Sequence, residues 1–110
     1  YYTTMVKYDE GIIGAPREYF QQRMMANGVY FGSGYVTPLY LYPIYQHRRP
    51  DVYWYFGGEV SYARGICPVA EECWSKKVMV TDILRYPATR GDVDRIEIAI
   101  KKSLEDIHER

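Results

Sequence analysis

Residues 78–102 read VMVTDILRYPATRGDVDRIEIAIKK, and a change of apolar period within them decides the fold. Val78 to Leu84 are mostly β-branched and apolar and read as a strand. A proline turn follows at Pro87, and Thr89 then stands three residues ahead of Asp92, a capping-box variant at a helix start. Beyond it Val93, Ile96, Ile100 and Ile107 recur at helical spacing and predict the apolar stripe of a helix. A strand feeding an amphipathic helix hides its apolar side by receiving that helix on the sheet.

The same alternation runs through the N-terminal part. Residues 2–8 (YTTMVKY) read as a strand closed by Asp9-Glu10-Gly11. A helix is predicted over 16–26. Pro16 suits its first turn, where a missing N–H costs nothing, Glu18 suits the positive end of its dipole, and Asn27-Gly28 stops it. Val29-Tyr30-Phe31 reads as a second strand, ended by Gly32-Ser33-Gly34. From Gly34 to Tyr45, Pro38 and Pro43 forbid a regular ladder, leaving turns with room for one helical turn. Residues 46–66 form a long connection carrying Tyr53, Trp54, Tyr55, Phe56 and Tyr62, too aromatic for simple disorder. Pro68 opens another helix, with Glu71 and Glu72 early and Lys76 and Lys77 late, as the dipole favours. The order β-α-β-loop-α-β-α predicts an α+β fold. A small three-stranded sheet from about 2–8, 29–31 and 78–84 carries helices packed on one face, in a single domain spanning 1–110.

Fourteen basic residues against fourteen acidic ones leave no positive excess to meet phosphates, which argues against a nucleic-acid or anionic-membrane partner. The same balance leaves self-association unopposed. No apolar run approaches the roughly 20 residues of a membrane span and no signal peptide is visible, so the cytoplasm is the expected location. Cys67 and Cys73, six apart with only His47 and His108 to assist, assemble no zinc set and read as reduced structural thiols. The acidic pairs Glu71-Glu72 and Asp92/Asp94 sit at helix starts, where the dipole accounts for them. No nucleophilic triad presents itself, and His47, beside Arg48 and Arg49, reads as part of an exposed cationic loop. No catalytic residue is assigned.

The stretch GVYFGSGYVTPLYLYPIY, over 28–45, carries a resemblance. A short helix, Asn-Gly-Val, Gly-Tyr, Pro-Leu-aromatic and Pro-x-Tyr follow in an order similar to the C-terminal domain of the DegT/StrS-type pyridoxal-phosphate-dependent sugar aminotransferases. The run Cys67-Pro68-Val69-Ala70-Glu71 and the strand, proline turn and Asp-rich helix start after it resemble that family's closing segment. The likeness spans about Tyr2 to Ile107. It implies the small-domain fold of fold-type I aminotransferases and amino transfer to a keto-sugar or keto-cyclitol. It also implies a cofactor held by a lysine of a separate large domain, pyridoxal phosphate serving the full-length family and none bound by this chain alone.

The resemblance places Tyr35, Tyr40 and Tyr42 along the substrate, their rings and hydroxyls suiting a sugar. About half of the tyrosines in 35–45 are expected to pack on the sheet as core. Tyr40 stands where the family commonly has histidine, and Arg85 where it often has proline. Tyr53, Trp54, Tyr55 and Phe56 are the expected interface, with a second copy or a large aminotransferase domain as partner. The alternative reading is a stand-alone, non-catalytic binding or dimerisation module on the same fold.

Overall fold

A computed structural model describes residues 2–47 and 60–109. The expected interface residues Tyr53, Trp54, Tyr55 and Phe56 lie outside the described residues.

Among the described residues, β1 (Thr4–Lys7), β2 (Gly32–Ser33) and β3 (Val78–Thr81) make one antiparallel sheet. Its order is β1-β3-β2, with the last strand of the chain in the middle. Thr4 pairs with Thr81 and Lys7 with Val78 on one side of β3, while Gly32 pairs with Val80 on the other. β1 and β2 both oppose β3, so they run parallel to each other and need a crossover connection. Two helices supply it, the single turn α1 (Glu10–Ile13) and α2 (Arg17–Ala26). The remaining helices are α3 (Pro43–Gln46), α4 (Pro68–Glu72), which runs on as a π turn over Cys73–Lys77, and α5 (Arg90–His108). Mixed strand and helix around an antiparallel sheet is the α+β arrangement that the sequence predicts.

One face of the sheet is covered. Tyr8, Phe20, Met24, Val29, Phe31, Met79, Ile96 and Ala99 form the buried cluster between the sheet, α2 and α5. The Tyr8 and Phe20 rings meet at 5.5 Å, and the Tyr8 hydroxyl donates to the Ala15 carbonyl at 2.6 Å. Burial, then the nearby Glu10 and Glu18 charges, push the Tyr8 phenol up from its ordinary value. α2 and α5 are tied by Arg23 Nε donating to Asp106 Oδ2 at 2.9 Å and Asn27 Nδ2 donating to Ser103 Oγ at 3.2 Å.

Several boundaries shift from the sequence reading, each for a visible reason. Val29 to Phe31 are not the second strand. The Val29 N–H caps α2 through the Met24 carbonyl at 3.0 Å, and Gln21 Nε2 claims the Phe31 carbonyl at 2.9 Å. With those groups turned to α2, the ladder starts at Gly32. Asp9-Glu10-Gly11 is no simple turn, because Asp9 Oδ1 accepts from the Gly11 and Ile12 N–H groups and starts α1. Pro16 is the residue before α2 and not within its first turn. The third strand stops at Thr81, where the Arg85 N–H folds back to the Asp82 carbonyl at 3.1 Å. Residues 34–45 hold two helical turns, a 3-10 turn at Leu39–Leu41 and the start of α3.

The apolar stripe of α5 is rotated from the expected one. Ile96 is 8% exposed, with Ile100 and Ile107 packed at the edge of the core, but Val93 is 49% exposed. Ala99 and Ser103 are nearly inaccessible, and Ser103 Oγ accepts from Asn27 Nδ2 at the end of α2. The capping box is present: Asp92 Oδ2 accepts from the Thr89 N–H at 2.7 Å and its hydroxyl at 2.8 Å.

Candidate functional site

The opposite face of the sheet holds one of the candidate residues, Tyr35. Side chains alternate along a strand, and Met79 points into the core, so Val80, its pair Gly32 and its pair Met5 point the other way. Met5 is exposed there. Beside Gly32 lies a cavity of about 370 Å³, bordered by Tyr2, Tyr30, Tyr35, Val80, Asp82 and Arg85. Tyr35 is 53% exposed and Tyr30 60%. Gly32 forms part of the wall: a Cβ there would stand 3.3 Å from Val80 Cγ2 and 3.6 Å from Tyr30 Oη. Arg85 is braced, its Nε donating to the Tyr2 carbonyl at 2.6 Å and its Cζ lying 4.4 Å from the Tyr2 ring centroid. Its Nη2 also stands 3.6 Å from Asp82 Oδ2.

Gly34 fixes how the chain leaves this site. Its φ of +59° suits glycine, and a Cβ would meet the Trp74 ring and carbonyl at 2.8 Å each. No larger residue allows the 34–45 segment to pass so close to the π turn.

Tyr40 and Tyr42 lie elsewhere. The half-buried Tyr40 hydroxyl donates to Glu71 Oε1 at 2.5 Å, and the Gly65 N–H donates to the same oxygen at 2.6 Å. Gln46 Nε2 donates to the Tyr40 and Tyr62 carbonyls at 2.6 Å each, and the Tyr45 and Tyr62 rings meet at 5.3 Å. Partial burial and the Glu71 carboxylate push the Tyr40 phenol up to about 12. The donated bonds from Tyr40 and Gly65 hold Glu71 below the usual carboxylate range. Tyr42 is exposed at the start of α3. None of Tyr35, Tyr40, Tyr42 and Tyr45 joins the core cluster, contrary to the expectation for half of them. Each follows the two-residue β2 in sequence, outside the strands.

Sequence reading thus found Tyr35 but not its neighbours Tyr30 and Arg85, nor the pairing of Tyr40 with Glu71. The strand period could have flagged Gly32, since a glycine inside a strand leaves room beside it. Glu71 had been accounted for by the helix dipole alone. Glu72 does answer a cation, pairing with Lys77 at 2.9 Å. His47 is exposed at the end of α3.

Both cysteines carry free thiols. Among the described residues no cluster of three or more His, Cys, Asp or Glu side chains is placed to hold a metal ion, and no helix is long and apolar enough to cross a membrane. No family model, curated protein or solved structure matches the chain.

Proposed function

We propose that this chain is the small, C-terminal domain of a pyridoxal-phosphate-dependent aminotransferase for keto-sugars or keto-cyclitols. It works beside a large domain that holds the cofactor and is inactive alone. One contact carries this reading. The segments bearing the family resemblance, Pro38-Leu39-Tyr40 and Cys67-Pro68-Val69-Ala70-Glu71, meet through the bond between the Tyr40 hydroxyl and Glu71, 31 residues apart. By the resemblance, the first of these segments borders the substrate. This bond joins the two stretches whose order along the chain carries the likeness.

The chain's own lysines do not fit the cofactor. Lys77 is paired with Glu72 at 2.9 Å and Lys101 with Glu97 at 2.6 Å. Lys7, Lys76 and Lys102 are exposed. A cofactor amine works desolvated and beside phosphate ligands, a setting none of these positions provides. The cofactor's chemistry therefore belongs to the large domain, and this chain contributes binding surface.

The test is to express the chain with the coding sequence that flanks it and assay amino transfer from an amino acid to nucleotide-linked keto-sugars. Turnover that is lost when residues 1–110 are deleted supports the reading. The absence of any lysine-bearing cofactor domain in that region or in a neighbouring gene overturns it. The second reading, a non-catalytic binding or dimerisation module, is favoured by Met5, Tyr30 and Tyr35, which are exposed on this sheet face among the described residues.

A further inference from the structure

We propose that the outer edge of β1 is a docking site for an extended peptide segment of a partner protein, in which an acidic residue is followed by a large apolar one. The inference stands on β1 and the cavity beneath it, and holds whether or not the chain works beside a cofactor domain. The two edges of the sheet differ. At β2, Gln21 of α2 donates to the Phe31 carbonyl at 2.9 Å and accepts from the Ser33 hydroxyl at 3.0 Å, so a helix side chain occupies that side. At β1, the Tyr8 N–H donates to the Lys77 carbonyl at 2.6 Å, which sets Thr4, Val6 and Tyr8 toward β3. Met5 and Lys7 therefore turn their N–H and C=O groups outward, where no backbone group answers them among the described residues. Such a row matches another polypeptide backbone at strand spacing.

What the added strand carries follows from the pleat. In an antiparallel addition, the more stable pairing, the residue opposite Val6 shares its covered face, and the residue opposite Lys7 shares the open face. Val6 borders a cavity of about 270 Å³ together with Ile12 and Ile13 of α1, Phe20 of α2, and Ile100 and Leu104 of α5. Ile12 is 78% exposed, an apolar side chain standing in water beside this cavity. The volume falls below the roughly 300–1,000 Å³ of small-molecule sites. It suits one apolar side chain of a longer ligand. Lys7 is exposed and forms no ion pair among the described residues, so a carboxylate opposite it completes a cross-strand pair. Antiparallel direction places that acidic residue immediately before the apolar one. A second copy of β1 lacks this complement. Paired with itself about Met5 or about Val6, β1 would set Thr3 or Met5 of the copy opposite Lys7, and neither carries a charge.

Titrating the isotopically labelled 110-residue chain with a capped, threonine-rich hexapeptide holding Glu-Leu at its centre, followed by amide NMR, tests this. Saturable shifts are expected at Met5, Lys7, Ile13 and Leu104. Replacing the peptide's leucine with serine is expected to weaken binding roughly tenfold or more, the worth of a buried apolar side chain. Replacing its glutamate with lysine is expected to cost roughly twofold to fivefold. Lys7→Glu in the protein should reverse that preference, so that the lysine-bearing peptide binds the tighter. Met5→Pro removes an outward N–H and no bond to β3, and should abolish binding. Its spectrum will report whether the fold is retained, and Lys7→Glu decides the matter if it is not. The proposal is overturned if no saturable shift occurs up to the peptide's solubility, or if the shifts centre on Gly32 and Ser33. It is equally overturned if the serine peptide binds as tightly, if Lys7→Glu leaves the charge preference unchanged, or if the Met5 and Lys7 shifts follow protein concentration with no peptide present.

Discussion

Arg17 reaches across the molecule to Val78: its Nη1 donates to the Val78 carbonyl at 3.1 Å, 61 residues away in sequence. The same nitrogen donates to Trp74 O at 3.1 Å, and Nη2 donates to Ser75 O at 2.6 Å. A π turn leaves its last carbonyls without helical partners, and this guanidinium answers two of them, Trp74 and Ser75, together with the Val78 carbonyl that opens β3 and also accepts from the Gly34 N–H at 2.8 Å. Arg17 is 5% exposed, and the neighbouring Glu18 carboxylate balances its charge at 2.9 Å. The bonds to Arg17 and to its own backbone N–H hold Glu18 below the usual carboxylate range, the backbone bond being the stronger influence.

Arg17→Met should therefore destabilise the fold by about 3 kcal/mol, because it removes the donor to the part-buried Trp74 and Ser75 carbonyls at once. Arg17→Lys should recover only part of this, a point charge being unable to span three acceptors. Urea unfolding followed by Trp fluorescence measures both. A loss under about 0.5 kcal/mol for Arg17→Met would mean that water or the backbone satisfies those carbonyls instead.

Two isoleucine-class positions on α5 separate the expected stripe from the observed one. Ile96→Ala should cost roughly 2–5 kcal/mol, since Ile96 faces Met24 and Ala99 within the core cluster. Val93→Ala should stay within about 0.5 kcal/mol. Thermal unfolding of the two variants side by side checks the register, and equal losses would contradict it.

The ends of α5 were legible in sequence because capping is local: Thr89 and Asp92 are three residues apart and satisfy each other with no outside help. Its facing direction was not. Counting large apolar residues favours Val93, whereas the least accessible positions of α5 are the small Ala99 and Ser103. The second strand slipped for a related reason, since Gln21 and Met24 on α2 take backbone groups that a strand would have used. The candidate site was half visible. Tyrosine chemistry drew notice to Tyr35 and Tyr40, but nothing local shows that Tyr35 shares a cavity with Arg85 while Tyr40 turns to Glu71.

The Tyr40–Glu71 bond has a pH window with two edges. Glu71 is held below its ordinary 4.5, so its contribution is complete above that value and fades as pH falls through the lowered folded value. Tyr40 is raised from 10.0 to about 12, so its contribution is complete below 10.0 and fades as pH rises toward 12. Tyr8 also titrates late, so tyrosinate absorbance should show one late-ionising phenol fewer in Tyr40→Phe and in Glu71→Gln than in the parent, where Tyr40 ionises near 12. A parent curve identical to that of Glu71→Gln would mean the bond is absent in solution.

Self-association should depend on the aromatic run 53–56. Light scattering over a dilution series is expected to show a concentration-dependent dimer for the parent, lost on joint Trp54→Ser and Phe56→Ser substitution. A parent that remains monomeric at high concentration would remove this stretch as an interface.

The central claim is that this chain supplies substrate-side surface to an aminotransferase whose cofactor lysine lies in another domain. Visible absorbance of pyridoxal phosphate, recorded after dialysis, tests it most directly. The 110-residue chain alone should retain no stoichiometric cofactor band, whereas the protein expressed with its flanking coding sequence should retain one, lose it on adding an amino-acid donor alone and regain it when the keto-sugar acceptor takes the amino group. A stoichiometric band on the isolated chain that maps to one of Lys7, Lys76, Lys77, Lys101 or Lys102, or no band on the longer protein, would contradict the account.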